Sequence, residues 1–93
     1  MKRNHYQKLI SSTINDLWRN YKYNTNVLDS LNTRTELYYH FYSKLNLRTG
    51  INSFEVKERK ASGTILSKMT DEEIKKTFYY LINEYAPNIE KLI

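Results

Sequence analysis

The side chains with the widest chemical use lie together in one segment, TRTELYYHFYSKLNL, at positions 33–47. Three tyrosines, a histidine and a phenylalanine occupy positions 38–42, between Arg34 and Lys44. Aromatic rings stack on nucleobases and basic groups hold phosphates, but the same rings also fill the cores of small helical proteins. The segment therefore indicates either a nucleic-acid contact or core packing.

Groups that would carry out catalysis or hold a cofactor are sparse. His5 and His40 stand far apart and lack a metal-ligand spacing such as His-Glu-x-x-His. The chain has no cysteine, which excludes thiolate chemistry, and its two glycines, Gly50 and Gly63, do not form a phosphate-binding loop. We therefore expect a non-enzymatic protein with no metal and no cofactor.

The positive charge is concentrated in the first two thirds of the chain. The net charge is +5, but residues 70–93 carry three basic and five acidic side chains, while residues 48–69 carry five basic and two acidic ones. Such an asymmetry allows one positive face, suited to nucleic acid or to an acidic protein. DNA is expected in preference to RNA.

Length and composition predict one domain, residues 1–93, in the cytoplasm. Phe, Tyr, Met, Ile, Asn and Lys account for 42 of the 93 residues, a usage that suggests an AT-rich bacterium, phage or plasmid. Polar residues interrupt the N-terminal segment, so a signal peptide is not expected. The chain has no apolar run long enough for a membrane helix.

Helical periodicity and capping motifs predict a mainly α-helical bundle of three to four helices. Asn4 is predicted to cap the first helix, and the Asn-rich segment 20–26 to end it. Thr33 with Glu36, and Thr70 with Glu73, have the spacing of capping boxes and predict the starts of two further helices. Between these helices, residues 51–69 predict a short β-hairpin, although a short helix over 53–61 fits almost as well.

Two rotations are possible for the helix over residues 33–47. The first buries Tyr38, Phe41, Tyr42 and Leu45. The second buries Leu37, Phe41 and Leu45 and leaves the tyrosines on the flanks and the surface. Phe41 and Leu45 are core in both rotations, and His40 and Lys44 are outside in both.

The same helix resembles the recognition helix of TetR-family repressors. The positions that match this family are Thr33, Leu37, Tyr38, Phe41, Ser43, Lys44 and Leu47. The resemblance implies a helix-turn-helix-like DNA contact through Tyr38, Tyr39, His40 and Lys44. It places Thr33, Arg34 and Thr35 at the start of the helix.

These observations favour a DNA-binding regulator. The alternative is a protein-binding inhibitor of a host system, of the anti-CRISPR or anti-defence type, or a bacteriocin immunity protein. A homodimer is possible, since reading palindromic DNA requires two copies. The residues predicted to contact nucleic acid or a partner are Arg34, Thr35, Tyr38, Tyr39, His40, Lys44, Arg48, Lys57, Arg59 and Lys60.

Overall fold

The computed structural model describes residues 2–93, apart from the side chain of Asn24. Three longer helical segments pack together, and three shorter helices connect or follow them. The α-helices are α1 Arg3–Asn24, α2 Arg34–Thr49, α3 Ser53–Lys57, α4 Ile65–Lys68, α5 Asp71–Tyr80 and α6 Ile89–Leu92. A π-helical turn, Leu81–Tyr85, continues α5. The prediction of a mainly helical fold is confirmed.

Helix α1 is longer at both ends than the sequence predicts. Its N-cap is Lys2, so Asn4 lies inside the helix. The Asn-rich segment continues the helix to Asn24, where contacts with the turn that follows α1 offset the weak helix propensity of asparagine. Lys22 supplies two of these contacts, since its Nζ donates to the carbonyls of Leu28, at 3.3 Å, and Leu31, at 2.7 Å.

Both predicted capping boxes are confirmed. The Thr33 hydroxyl accepts from the Glu36 amide, and the Glu36 carboxylate accepts in return from the Thr33 amide. Thr70 and Glu73 form the same reciprocal pair at the start of α5. At the other end of α2, Gly50 takes the left-handed conformation (φ 77°) that commonly ends a helix.

The predicted β-hairpin over residues 51–69 is wrong, because helices α3 and α4 occupy this segment and residues 2–93 contain no strand. Asn52 caps α3 by accepting from two backbone amides, and Thr64 caps α4 by accepting from one. Phe54 and Val56 would share one face of a strand. In α3 they point apart, so that Val56 is buried and Phe54 is exposed.

The last helical segment contains the π-helical turn. Ile74, Leu81 and Tyr85 are buried, whereas Ile82 is exposed. The turn is closed by the Ala86 amide, which donates to the Leu81 carbonyl at 2.9 Å. Residues 86–93 then return to the core, where Ile89 is buried and Leu92 and Ile93 are partly buried against it.

One apolar core connects α1, α2 and the last helical segment. Phe41 of α2 lies at its centre, and its ring meets the rings of Tyr80 and Tyr85 at centroid distances of 5.8 and 5.0 Å. From α1, Ile10 and Ile14 are fully buried in the same core. None of the helices described in residues 2–93 is both long enough and apolar enough to cross a bilayer.

Arginine side chains tie the short helices to the longer ones. Arg59, after α3, donates to both carboxylate oxygens of Glu73 in α5, with a distance of 2.8 Å for the Nη2–Oε2 contact. Arg3 of α1 donates to the Asp71 carboxylate and to the backbone carbonyl of Ser67. The Arg59 guanidinium lowers the pKa of the Glu73 carboxyl to about 2.

The Arg59–Glu73 contact predicts a specific loss of stability in acid. Since the pKa of Glu73 is lowered on folding, its contribution is complete above pH 4.5 and is lost as the pH falls towards about 2. We expect Glu73→Gln to be less stable than wild type at pH 7. The difference in the free energy of unfolding, measured by urea titration at each pH, should shrink in acid.

Glu36→Gln is the matched control, because Glu36 has the same capping role and no arginine ion pair among the described residues. If both substitutions gave the same pH dependence, the Arg59 contact would not be its source.

Candidate binding surfaces on helix α2

The core fixes the rotation of α2 about its axis. Leu37, Phe41 and Leu45 have no exposed surface, as in the second predicted rotation, but Tyr42 is buried too, as in the first. The prediction that Phe41 and Leu45 are core is confirmed. Burial strongly raises the pKa of the Tyr42 hydroxyl, and the nearby Tyr38 and Tyr39 raise it further, so it stays neutral.

Tyr38 is half-buried against α1 and does not face solvent freely. Its hydroxyl lies 3.3 Å from the backbone carbonyl of Ser11, to which it can donate, and 3.3 Å from the Asn15 side-chain oxygen. Its ring packs beside that of Tyr42, with centroids 6.3 Å apart. Tyr38 therefore contributes mainly to the packing of α1 against α2.

His40 is not outside the fold, and the prediction that it would be is wrong. The imidazole is half-buried between α2 and the C-terminal segment, with Nδ1 2.8 Å from the Tyr85 hydroxyl and Nε2 3.2 Å from the Leu92 carbonyl. A carbonyl only accepts, so we place the proton on Nε2 and let the Tyr85 hydroxyl donate to Nδ1. Burial lowers the pKa of His40, which favours this neutral form.

Of the arginines predicted to contact nucleic acid or a partner, two form ion pairs within the fold. Arg48 binds the Glu84 carboxylate through two nitrogens, at 2.6 and 2.9 Å, and Arg59 binds Glu73. Four of the five arginines are in ion pairs, whereas Arg34, the first residue of α2, is exposed and has no ion pair among the described residues. Thr35, next to it, lines a groove beside Tyr38 and Tyr39.

An aromatic cleft lies on one flank of α2, between α2 and α3. It has a volume of about 360 Å³ and is lined by Tyr39, Tyr42, Ser43, Asn46, Asn52, Ser53 and Phe54. Tyr39 is 49% exposed and Phe54 is 72% exposed, so two aromatic rings at this cleft are open to solvent. All seven lining side chains are uncharged.

Three lysines come after Phe54 in the sequence, on α3, on α4 and in the loop between them. Lys57 lies three residues after Phe54 on α3 and is exposed, as is Lys60 in the loop that follows. Lys68 meets this segment from α4, since its Nζ donates to the Lys57 carbonyl at 2.9 Å. Within residues 2–93, none of these lysines forms an ion pair.

A basic groove lies on the opposite flank of α2, between α2 and the C-terminal segment. It has a volume of about 390 Å³ and is lined by Lys44, Leu47, Arg48, Tyr80, Glu84, Asn88, Lys91 and Leu92. Because each residue of a helix turns about 100°, Tyr39 and Lys44 point about 140° apart. The structure therefore separates the aromatic and basic groups that are interleaved in the sequence.

This separation also affects the positions that the TetR resemblance implies for DNA contact. Of these four side chains, Tyr39 is the one that is clearly exposed. Tyr38 and His40 are half-buried in contacts with α1 and the C-terminal segment, and Lys44 is half-buried in the basic groove. The described residues contain no cluster of three or more histidine or acidic side chains that could hold a metal ion.

The sequence prediction missed Phe54 and Leu47 as surface features. The predicted hairpin would place Phe54 on a strand, whereas the alternative, a short helix over 53–61, agrees with α3, in whose first turn Phe54 faces away from Val56. Leu47 was matched to the family pattern, yet it is 75% exposed at the end of α2. Asn52, as a helix-capping residue two positions before Phe54, is the feature of the sequence that could have placed Phe54 on a helix.

Comparison with protein-family models, with curated proteins and with solved structures finds no match to this chain.

The His40 contact predicts that the fold weakens as the pH falls below neutral. The pKa of His40 is lowered on folding, so its contribution is complete above pH 6.5 and is lost as the pH falls below that value towards the folded pKa. We expect the urea midpoint to decrease between pH 7.5 and 5.5. His40→Gln should remove most of this decrease, because the glutamine does not titrate.

His5→Gln serves as the control, since His5 is exposed on α1 and takes no part in the contact with Tyr85 and Leu92. A wild-type midpoint that is independent of pH over this range would contradict the assignment.

Proposed function

We propose that this chain is a non-enzymatic nucleic-acid-binding protein whose aromatic cleft receives unpaired bases of a single strand. The observation that supports this best is the pair of exposed rings, Tyr39 and Phe54, at one cleft. Two large rings left in water on neighbouring helices add nothing to the core. Both are available to stack on a ligand.

The cleft has the chemistry that base stacking requires. Every base presents a flat face to an aromatic ring, so stacking tolerates any sequence. Ser43 and Asn46 line the same cleft and offer a hydroxyl and an amide to the edges of a base. The absence of charge among the lining residues suits a neutral base rather than a phosphate.

Phosphates would be held by the lysines beyond the cleft. Lys57 is on α3, the helix that carries Phe54. Lys60 is in the loop after α3, and Lys68 of α4 reaches the end of α3 through the Lys57 carbonyl. Glu58 is exposed in this segment and opposes them, while Arg59 is already bound to Glu73. The electrostatic contribution should therefore be modest and sensitive to salt.

A single strand suits this geometry better than a duplex. Stacking on Tyr39 and Phe54 needs a base that is free of its own neighbours. Leu47 and Glu36 also lie on the exposed surface of α2, where they would meet a duplex that followed the helix. A regulator and an inhibitor of a nucleic-acid-processing enzyme would both make use of such a contact.

Removal of either exposed ring should weaken binding of a single strand. We expect wild type to bind a fluorescein-labelled oligothymidylate of about 15 nucleotides with micromolar affinity in about 50 mM salt, and to bind a duplex less well. Tyr39→Ala and Phe54→Ala should each weaken binding by roughly 5- to 150-fold, which corresponds to about 1–3 kcal/mol per stacked base. Fluorescence anisotropy measures both affinities.

Tyr79→Ala is the matched control, since Tyr79 is 47% exposed, close to the 49% of Tyr39, and lies on α5 outside the cleft. The proposal would be contradicted if wild type did not bind the oligonucleotide, or if Tyr79→Ala weakened binding as much as Tyr39→Ala and Phe54→Ala do.

The salt dependence should identify the lysines that contact phosphates. For single strands each engaged cation contributes about 0.7 to the slope of log K against log salt concentration. The double variant K57Q/K60Q should therefore reduce the slope by roughly 1.4. Lys91→Gln, in the basic groove on the other flank of α2, should leave the slope close to that of wild type.

A further inference from the structure

The basic groove has features that the proposed nucleic-acid contact does not use. Leu47 is 75% exposed at its edge, although it is a large apolar side chain at the end of a well-formed helix. Leu92, from α6, lies on the opposite side, and the nearly buried Tyr80 contributes to the lining between them. The groove therefore presents apolar surface between two elements.

The two sides of the groove are held together by specific contacts. Arg48 of α2 binds Glu84 of the π-helical turn at 2.6 Å across the groove, and on the C-terminal side Asn88 donates to the backbone carbonyl of Glu84 at 2.8 Å, which braces that side. His40 of α2 lies 3.2 Å from the Leu92 carbonyl. A groove formed in advance costs little conformational entropy when a ligand binds.

The charge of the groove is positive and partly uncompensated. Lys44, Arg48 and Lys91 line it, against one acidic residue, Glu84, which Arg48 already binds. Lys44 and Lys91 form no ion pair within residues 2–93. Two free ammonium groups therefore flank a small apolar surface.

We propose that this groove is a second binding site, which takes a short acidic segment of a partner protein. An apolar side chain of that segment packs between Leu47 and Leu92, and its carboxylates pair with Lys44 and Lys91. Charge complementarity identifies the chemistry of the partner, because carboxylates beside an apolar side chain match this arrangement.

A nucleic acid matches the groove less well than an acidic segment. The one aromatic residue in the lining, Tyr80, is 4% exposed and offers little ring surface for stacking. Leu47, at 75% exposed, would face the strand with an apolar side chain instead. This site is thus distinct in both position and chemistry from the aromatic cleft.

Three labelled peptides of about ten residues test the proposal. They share a central pair of leucines and differ in their flanking residues, which are glutamates, glutamines or lysines. We expect the acidic peptide to bind wild type at least about tenfold more tightly than the neutral peptide, and the basic peptide not to bind. Affinities come from fluorescence anisotropy with the full chain, and circular dichroism confirms that each variant is folded.

Substitutions in the groove should reverse this preference. K44E/K91E should weaken binding of the acidic peptide by about tenfold or more and should create binding of the basic peptide. This gain is a readout that simple unfolding would not produce. Leu47→Ala should weaken all peptides that bind, since it removes apolar contact area and its side chain is already exposed.

The double variant K75E/K76E makes the same change of net charge on α5, outside the groove, and is the control. Several results would overturn the proposal. These are no binding of the acidic peptide at about 1 mM, equal binding of the acidic and neutral peptides, or an equal loss in the control variant.

Two other occupants give different results, each of which would also overturn the proposal. A dimer seen by sedimentation that Leu47→Glu abolishes would assign the groove to a second copy of this chain. Competition between an oligonucleotide and the acidic peptide on wild type, together with weaker oligonucleotide binding by K44E/K91E, would assign the groove to phosphates.

Discussion

The burial of one face of α2 determines which of its other side chains are exposed to solvent and on which flank they lie. Leu37, Phe41 and Leu45 are completely buried, and Phe41 is held by contacts with the rings of Tyr80 and Tyr85. A rotation of α2 would expose some of these side chains at a cost of about 1.5–3 kcal/mol each. The same rotation would bring the polar flanks into the core, so the direction of every other side chain on α2 follows from this constraint.

The fixed rotation explains why the aromatic and basic residues do not form one continuous site. In the sequence Tyr39 and Lys44 are five positions apart, which suggests a single mixed surface. On the helix they point about 140° apart. Tyr38 contacts α1, and Tyr39 and Tyr42 line the cleft beside α3. Lys44 and Arg48 line the groove beside the π-helical turn and α6.

The composition also overstates how much positive charge is free at the surface. Arg3, Arg19, Arg48 and Arg59 all lie within ion-pair distance of an acidic side chain. Three of these pairs join separate parts of the chain, since Arg3 and Arg59 both reach α5 and Arg48 reaches the π-helical turn. The net charge of +5 is therefore carried mainly by lysines, which hold phosphates as point charges rather than through a two-pronged guanidinium.

The parts of the fold that sequence could predict are those set by contacts within a few residues. The capping boxes at Thr33 and Thr70 need one hydroxyl and one carboxylate three residues apart, so their spacing predicted two helix starts correctly. The position of His40 depends on Tyr85 and Leu92, more than forty residues away. No local pattern contains that contact, and the prediction that His40 is exposed failed for this reason.

Segment 51–69 shows that a local pattern can also be too short to identify the secondary structure. Alternation of Phe54 and Val56 with charged residues covers four positions, which is too few to distinguish a strand from one turn of a helix. The Asn52 cap and the burial of Val56 in the common core decide for the helix. A short helix, α3, therefore stands where the hairpin was predicted, and it exposes Phe54 to solvent.

The exposure of Phe54 in turn makes Tyr39 part of a cleft rather than an isolated ring. The two residues are fifteen positions apart and on different helices, so neither the period of α2 nor that of α3 relates them. They line one cleft because α2 ends at Gly50, where the left-handed conformation turns the chain back and starts α3 beside α2. A side chain in place of the hydrogen of Gly50 would favour another backbone conformation there, and the position of α3 beside α2, which forms the cleft, would change.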